Sequence, residues 1–170
     1  MKKNLTDIPV FTHDGEFLAR YSENGLAELN FPMGRASSRA AKSNSQSAIA
    51  NRQLKAWHRL TESALKKILA GQSPTELPPL DWNGATDFQK SVWRQMLKIS
   101  AGKTKSYGEI AAAIKNPKAV RAVGGACGAN PIPVLVPCHR ILAANKKLGG
   151  FSGGLDWKRK LLAVEKVQLA

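Results

Sequence analysis

Three features predict an α+β (mixed α/β) fold in two parts. Hairpin signals crowd the first thirty residues, a proline-rich break falls near residue 80, and apolar residues beyond it recur at helical spacing. At 170 residues the chain holds one ordinary domain or two small ones. The reading is a strand-rich domain over 1–80 and a mainly helical domain over 83–170.

The strands come first. Ile8-Pro9-Val10-Phe11-Thr12 precedes His13-Asp14-Gly15, then Glu16-Phe17-Leu18-Ala19-Arg20-Tyr21, then Asn24-Gly25, then Leu26 to Phe31 with apolar side chains at alternate positions. Asp-Gly and Asn-Gly between such runs are strong hairpin signals, which predicts a three-stranded antiparallel meander. Residues 34–48 are small, polar and aperiodic, so both a surface loop and a basic DNA-contacting loop fit them. From Arg52 to Ala70, Leu54, Trp57, Leu60, Ala64, Leu65 and Ile68 mark one face of a helix that Gly71 stops. Residues 73–82, with three prolines, read as an extended linker.

Beyond the linker, Thr86 caps a helix carrying Phe88, Val92, Trp93, Met96 and Ile99 and ending near Gly102. Ser106-Tyr107-Gly108-Glu109 fits a capping box ahead of Ile110 to Ile114. Asn116 as N-cap and Pro117 at the first helical position restart the chain through Ala119, Val120 and Val123. Two short helices joined by two or three residues make a helix-turn-helix arrangement. The second carries Lys118 and Arg121, with Lys115 in the turn. A plain helical hairpin with solvated charges fits the same pattern.

The local charge excess tips the reading towards DNA. The formal net charge is +14. Residues 1–82 hold eleven basic and eight acidic side chains, and 83–170 hold fifteen and four, so the excess lies in the helical half. Nucleic acid and anionic membranes are the natural partners of such a surface. No apolar run approaches the roughly 18 residues of a membrane span, and no apolar segment follows Lys2-Lys3 to make a secretory signal. Two cysteines and three scattered histidines make neither a disulfide framework nor a metal knuckle, so the expectation is an intracellular, cytoplasmic (or nuclear) protein with reduced thiols, no metal and no cofactor.

The chemistry concentrates in Pro131-Ile132-Pro133-Val134-Leu135-Val136-Pro137-Cys138-His139-Arg140. Three prolines exclude a helix or central strand here, and an extended, rigid approach delivers Cys138 to a fixed place. A cysteine reacts as thiolate, and a free thiol is only slightly ionised at neutral pH. Arg140 adds positive potential. In extended backbone His139 points away from Cys138, so a turn or a bridging water is needed to link them. A last helix, Leu155 to Val167, puts Trp157, Leu161, Leu162 and Glu165 in one sector. An inward Glu165 needs a partner, and His139 is the candidate; a Glu165 facing water fits the spacing equally. Cys127 reads as a buried structural thiol. Gly124-Gly125, Gly128, Gly149-Gly150 and Gly153-Gly154 shape turns rather than a phosphate loop.

Pro137-Cys138-His139-Arg140-Ile141 closely resembles the active-site motif of the O6-alkylguanine-DNA alkyltransferases. Ser106 to Ala111, Asn116 to Ala126, Asn130-Pro131, Phe151 to Leu155 and Leu161 to Glu165 follow the same family's order and spacing. The resemblance is dense over 84–170 and looser before it, where it implies a small ribonuclease-H-like domain. It implies single-turnover transfer of an alkyl group from O6-alkylguanine in double-stranded DNA, with O4-alkylthymine a second candidate, to Cys138 of a monomer. His139, acting through water and oriented by Glu165, would generate the thiolate. Arg121 would replace the flipped base, and Lys115, Lys118, Ala119 and Ala122 would line the DNA face. Tyr107 would press on a phosphate and protonate the leaving guanine, and Asn130 would brace the turn before the active-site segment. Val136, Cys138 and Ser152 would read the guanine edge, with Phe151 and Gly149 completing the pocket. Position 151 is Phe where some relatives carry Tyr, and Lys166 stands where Gly is frequent. A related class of non-reacting DNA binders carries Trp in place of the cysteine, which Cys138 argues against. A regulator would not need the Cys-His pair, and a cysteine hydrolase would turn over repeatedly.

Overall fold

The computed structural model describes residues 5–32 and 51–170, and the segment 34–48 lies outside the described residues. The chain forms two compact units. The first takes residues up to Lys66 together with Pro74–Trp82, and the second takes Lys67–Ser73 and Asn83–Ala170.

In the first unit β1 (Thr6–Thr12), β2 (Gly15–Ser22) and β3 (Gly25–Asn30) form an antiparallel sheet in the order β1-β2-β3. The expected meander is there, with Thr12 opposite Gly15 and Ser22 opposite Gly25 across its two turns. Ile8, Val10, Phe17, Ala19, Tyr21 and Leu29 supply its buried face. Helix α1 (Arg52–Leu69) follows, and the buried Tyr21 hydroxyl donates to Thr61 Oγ1 at 2.8 Å, fastening sheet to helix. Residues 74–82 are extended, as the prolines require, but they are stitched to β3. The Leu26 amide donates to Pro79 O and the Asp81 amide to Leu26 O, both at 2.8 Å. Ser22 Oγ donates to Asp81 Oδ2 at 2.6 Å. Gly25 has φ 143°, and a Cβ there would meet Pro79 O at 2.2 Å, so this docking needs glycine.

In the second unit α2 (Asp87–Leu97) opens on Thr86 with a complete capping box to Gln89. It stops earlier than expected. Lys98 and Ile99 donate back three residues, to Gln95 and Met96, tightening the last turn and leaving the buried Ile99 beyond the helix. β4 (Lys105–Ser106) pairs in parallel with β5 (Ile141–Leu142). Ser106 then caps α3 (Tyr107–Ala113) through a capping box with Glu109. This arrangement sets the start of α3 beside the strand that follows Cys138-His139-Arg140.

The connection to α4 (Val120–Gly128) differs from the sequence reading. Asn116 is not the N-cap. Lys115 sits at φ 61°, its amide donates to Ala112 O, and the Asn116 amide donates to Ala111 O, which is a Schellman ending of α3. Asn116 is thereby held as the close of one helix. Its carbonyl accepts from Ala119 in a turn, and the first four-residue helical bond of α4 runs from Val123 to Ala119. Residues 114–119 therefore separate the helices, more than the two or three expected.

Helix α5 (Leu155–Val164) also ends in a Schellman motif, short of Val167, with Lys166 at φ 58° and its amide on Ala163 O. A left-handed conformation costs a non-glycine residue about 1–2 kcal/mol, partly offset by the backbone freedom glycine would bring to the unfolded chain. Lys166→Gly is expected to raise unfolding free energy by about 0.5–1 kcal/mol, read as a higher denaturant midpoint at unchanged slope.

Candidate active site

The segment before the cysteine is a turn. Pro133 and Val136 bridge to one another, and Val134, fully buried, takes φ 74°. Cys138–Arg140 is a 3₁₀ turn, not the extended run expected, because Cys138 donates its amide to Val136 O and Arg140 donates to Pro137 O. Prolines that forbid a ladder leave short local bonds as the way to satisfy this buried backbone.

Asn130 braces this turn. Its Oδ1 accepts from the Ile132 amide at 3.0 Å, and its Nδ2 donates to Val136 O at 2.9 Å and to Cys138 Sγ at 3.3 Å. Cys138 is 5% exposed. Burial pushes its thiol up, opposed by the Asn130 donor, by the charge of Lys158 and by the backbone amides of Cys138 and Val134. The resting side chain is a thiol that needs a base.

His139 is fully buried, and its Nε2 lies 3.0 Å from Glu165 Oε1. Burial lowers the His139 pKa, opposed by Glu165. Glu165 is the C-cap of α5. Burial works to raise its pKa, but the hydrogen bonds from His139 and Arg140 prevail and hold it at about 2. Arg140 Nη2 donates to Oε1 at 2.7 Å, its Nε lies 3.1 Å from both carboxylate oxygens, and the Gly102 amide donates to Oε2 at 3.1 Å. Because an ionised carboxylate only accepts, His139 must carry its proton on Nε2. Nδ1 is then the basic atom, and it is buried with no hydrogen-bond partner among the described residues. No hydrogen bond joins it to Cys138, in keeping with the expected need for an intermediary.

A pocket of about 430 Å³ opens at the cysteine, lined by Tyr107, Gly124, Cys127, Gly128, Cys138, Gly150, Phe151 and Ser152. Phe151 meets the His139 ring edge-on at 6.5 Å. Val136 does not reach this pocket: it is fully buried, and its carbonyl already accepts from Cys138 and Asn130. Gly149 packs directly against Tyr107 of that wall. Arg121, Lys118, Lys115 and Ala122 are exposed and Ala119 half-buried, on α4 and the turn before it.

Residues 87–167 match the family model for the DNA-binding domain of 6-O-methylguanine DNA methyltransferase. A methylated-DNA–protein-cysteine methyltransferase of Methanosarcina acetivorans is 40% identical over 151 residues, 89% of this chain and 92% of the relative. The chain belongs to the methylated-DNA–protein-cysteine methyltransferase family. A Haemophilus influenzae family member is 54% identical over 82 residues, and the chain spans about half the length of the first curated relatives it matches (46% and 53%). Among solved structures, Mycobacterium tuberculosis OGT in complex with DNA shares 33% identity at a TM-score of 0.67, covering 94% of this chain and 92% of that one. An O6-methylguanine DNA methyltransferase from Methanococcus jannaschii gives 25% and 0.66, over 96% and 95%.

Three features of this family member escape the sequence reading. Arg140 is committed to Glu165 and to Ile99 O at 2.5 Å, so it serves the carboxylate rather than acting as free positive potential. Cys127 is buried as expected, with Sγ 3.6 Å from Met96 Sδ, yet it also lines the pocket. Burial pushes its pKa up to about 12. Lys158 is fully buried, though the spacing 158, 161, 162, 165 places it on the inward face that singled out Glu165.

Glu165 gives this site an acid limit. Its folded pKa lies below its ordinary value, so its stabilisation is full above about pH 4.5 and is lost as pH falls towards 2. Glu165→Gln is expected to lose about 3 kcal/mol at neutral pH and to flatten the acid limb, read by urea unfolding from pH 2 to 7. Gly149 has φ 63°, and a Cβ there would meet the Tyr107 hydroxyl at 2.8 Å. Gly149→Ala is expected to displace the Tyr107 side chain from the pocket wall, read by shifts of its ring signals in NMR.

Proposed function

We propose that this chain repairs DNA directly, moving the alkyl group of O6-alkylguanine to Cys138 once per molecule. The observation that carries the reading is the chain Glu165–His139–Cys138 at a pocket: a neutral imidazole held by a buried carboxylate, its basic Nδ1 unpartnered, next in sequence to a braced thiol. Thiol and imidazole make no direct hydrogen bond, so a water carries the proton from Sγ to Nδ1. The thiolate attacks the alkyl carbon, the carbon–O6 bond breaks as the carbon–sulfur bond forms, and a proton delivered to guanine restores the base. Tyr107, in the pocket wall, is the group placed to donate that proton. A thioether is a poor leaving group, so the protein is consumed. No added cofactor takes part.

Recognition divides between charge and shape. The helix-turn-helix formed by α3 and α4 offers Lys115, Lys118 and Arg121 to the duplex, with the small Ala119 and Ala122 allowing close approach. A pocket-bound base must leave the stack, at a few kcal/mol and less for a badly paired lesion. The exposed Arg121 fills the gap, and Phe151 and Ser152 receive the base. The protein acts as a monomer inside the cell, where thiols stay reduced.

Incubation with a duplex containing O6-methylguanine, followed by intact mass and peptide mapping, tests this. One methyl group on Cys138, none on Cys127 and restored guanine are expected. An unmodified protein that binds the lesion tightly would contradict it. Cys138→Ala should bind and accept nothing. Arg121→Ala should weaken lesion engagement at unchanged stability, and wild-type affinity should fall steeply with salt.

A further inference from the structure

Lys158 is a buried ionisable group beside the pocket to which the proposed chemistry gives no task. Its side chain is fully buried. Its ammonium donates to Ile141 O at 2.7 Å, to Gly150 O at 3.2 Å and to Leu148 O. All three ammonium hydrogens thus go to backbone carbonyls, an uncommon arrangement for a buried lysine without a carboxylate. Those carbonyls belong to two separate stretches. Ile141 follows Cys138-His139-Arg140 directly, and Leu148 and Gly150 lead into the Phe151–Ser152 wall of the pocket. The wall and the nucleophile's segment are thereby held by one cation.

Charge counting adds a second role. Arg140 matches the Glu165 carboxylate. Moving the Cys138 proton to His139 creates a thiolate and an imidazolium, and the imidazolium faces Glu165. Lys158 is the remaining cation of this buried set, and its charge favours the ionised form of Cys138.

We propose that Lys158 is a positioning residue for alkyl transfer, an ammonium latch that fastens the Leu148–Gly150 loop to Ile141 and balances the Cys138 thiolate. The inference rests on Cys138 being the acceptor. Burial lowers the Lys158 pKa to about 8, opposed by Cys138 and Cys127, so the latch titrates near neutrality. The other groups around it are Cys138, Cys127 and His139, with Arg140 and Glu165 paired beyond them. Tyr107 accompanies Gly150 in the pocket wall, and Lys146, Lys147, Asp156, Arg159 and Lys160 are exposed.

The test uses the full chain and two readouts: Cys138 alkylation by iodoacetamide without DNA, and methyl transfer at saturating O6-methylguanine duplex, each from pH 6 to 10. In the wild type, methyl transfer should fall above about pH 8 as the latch loses its proton. Lys158→Met should keep DNA affinity, slow saturating transfer by about tenfold or more and raise the thiol midpoint. Lys158→Arg should hold the thiol midpoint and lack the alkaline fall. A Lys158→Met protein with wild-type thiol midpoint and transfer rate overturns the proposal. Should Lys158→Met not fold, a Lys158→Arg profile that keeps the wild-type alkaline fall overturns it alone. Iodoacetamide reads the latch without methyl transfer, so failure of the wild type to accept methyl would count against the acceptor assignment separately.

Discussion

The Glu165 carboxylate is the constraint on which the site depends. It is a buried anion, which standing alone would cost several kcal/mol, and it persists because His139, Arg140 and the Gly102 amide all donate to it. The donors come from two separate parts of the second unit. His139 and Arg140 belong to the 3₁₀ turn, Gly102 to the connection after α2, and Glu165 itself closes α5. One carboxylate therefore closes the unit around the active-site turn and sets the protonation of His139. Removing its charge would leave Arg140 buried against a neutral group and free the imidazole to rotate.

Around this anion the chemistry follows from protonation states that burial imposes. His139 stays neutral, Glu165 stays ionised, and Cys138 stays a thiol until a base acts. Cys127, in the same pocket, lies far from ionisation. Two thiols share a cavity, and the hydrogen bond from Asn130 together with the neighbouring His139 distinguishes them. The pocket is otherwise lined by glycines, aromatics and a serine; in the proposed repair, damage selectivity resides in this shape, while Arg121 on α4 with Lys115 and Lys118 before it supplies attraction to any duplex.

Much of this was legible in the residues. Asp-Gly and Asn-Gly placed the strands, and Thr86 and Ser106 placed two helix starts, because capping chemistry is local. Helical spacing and the cost of burying a carboxylate offered the Glu165–His139 pair, with a water-facing Glu165 fitting the same spacing. Asn116 misled, since Asn-Pro is a good helix start and nothing local shows that its amide closes the preceding helix. The 3₁₀ turn at Cys138 was hidden for a similar reason: prolines say what the backbone cannot be, not which short bonds replace a ladder. Lys158 was visible in the same periodicity as Glu165, but a lysine on an inward face is read as snorkelling until its carbonyl partners are seen.

The protonation state of one imidazole decides whether Cys138 has a base, and nitrogen NMR of His139 in the resting protein reads it directly. A neutral ring is expected at pH 7, protonated on Nε2 and bare on Nδ1, remaining so below the ordinary histidine pKa. A ring protonated on both nitrogens at pH 7, or on Nδ1 alone, would contradict it, because neither form can take the thiol proton from Cys138 while held by Glu165.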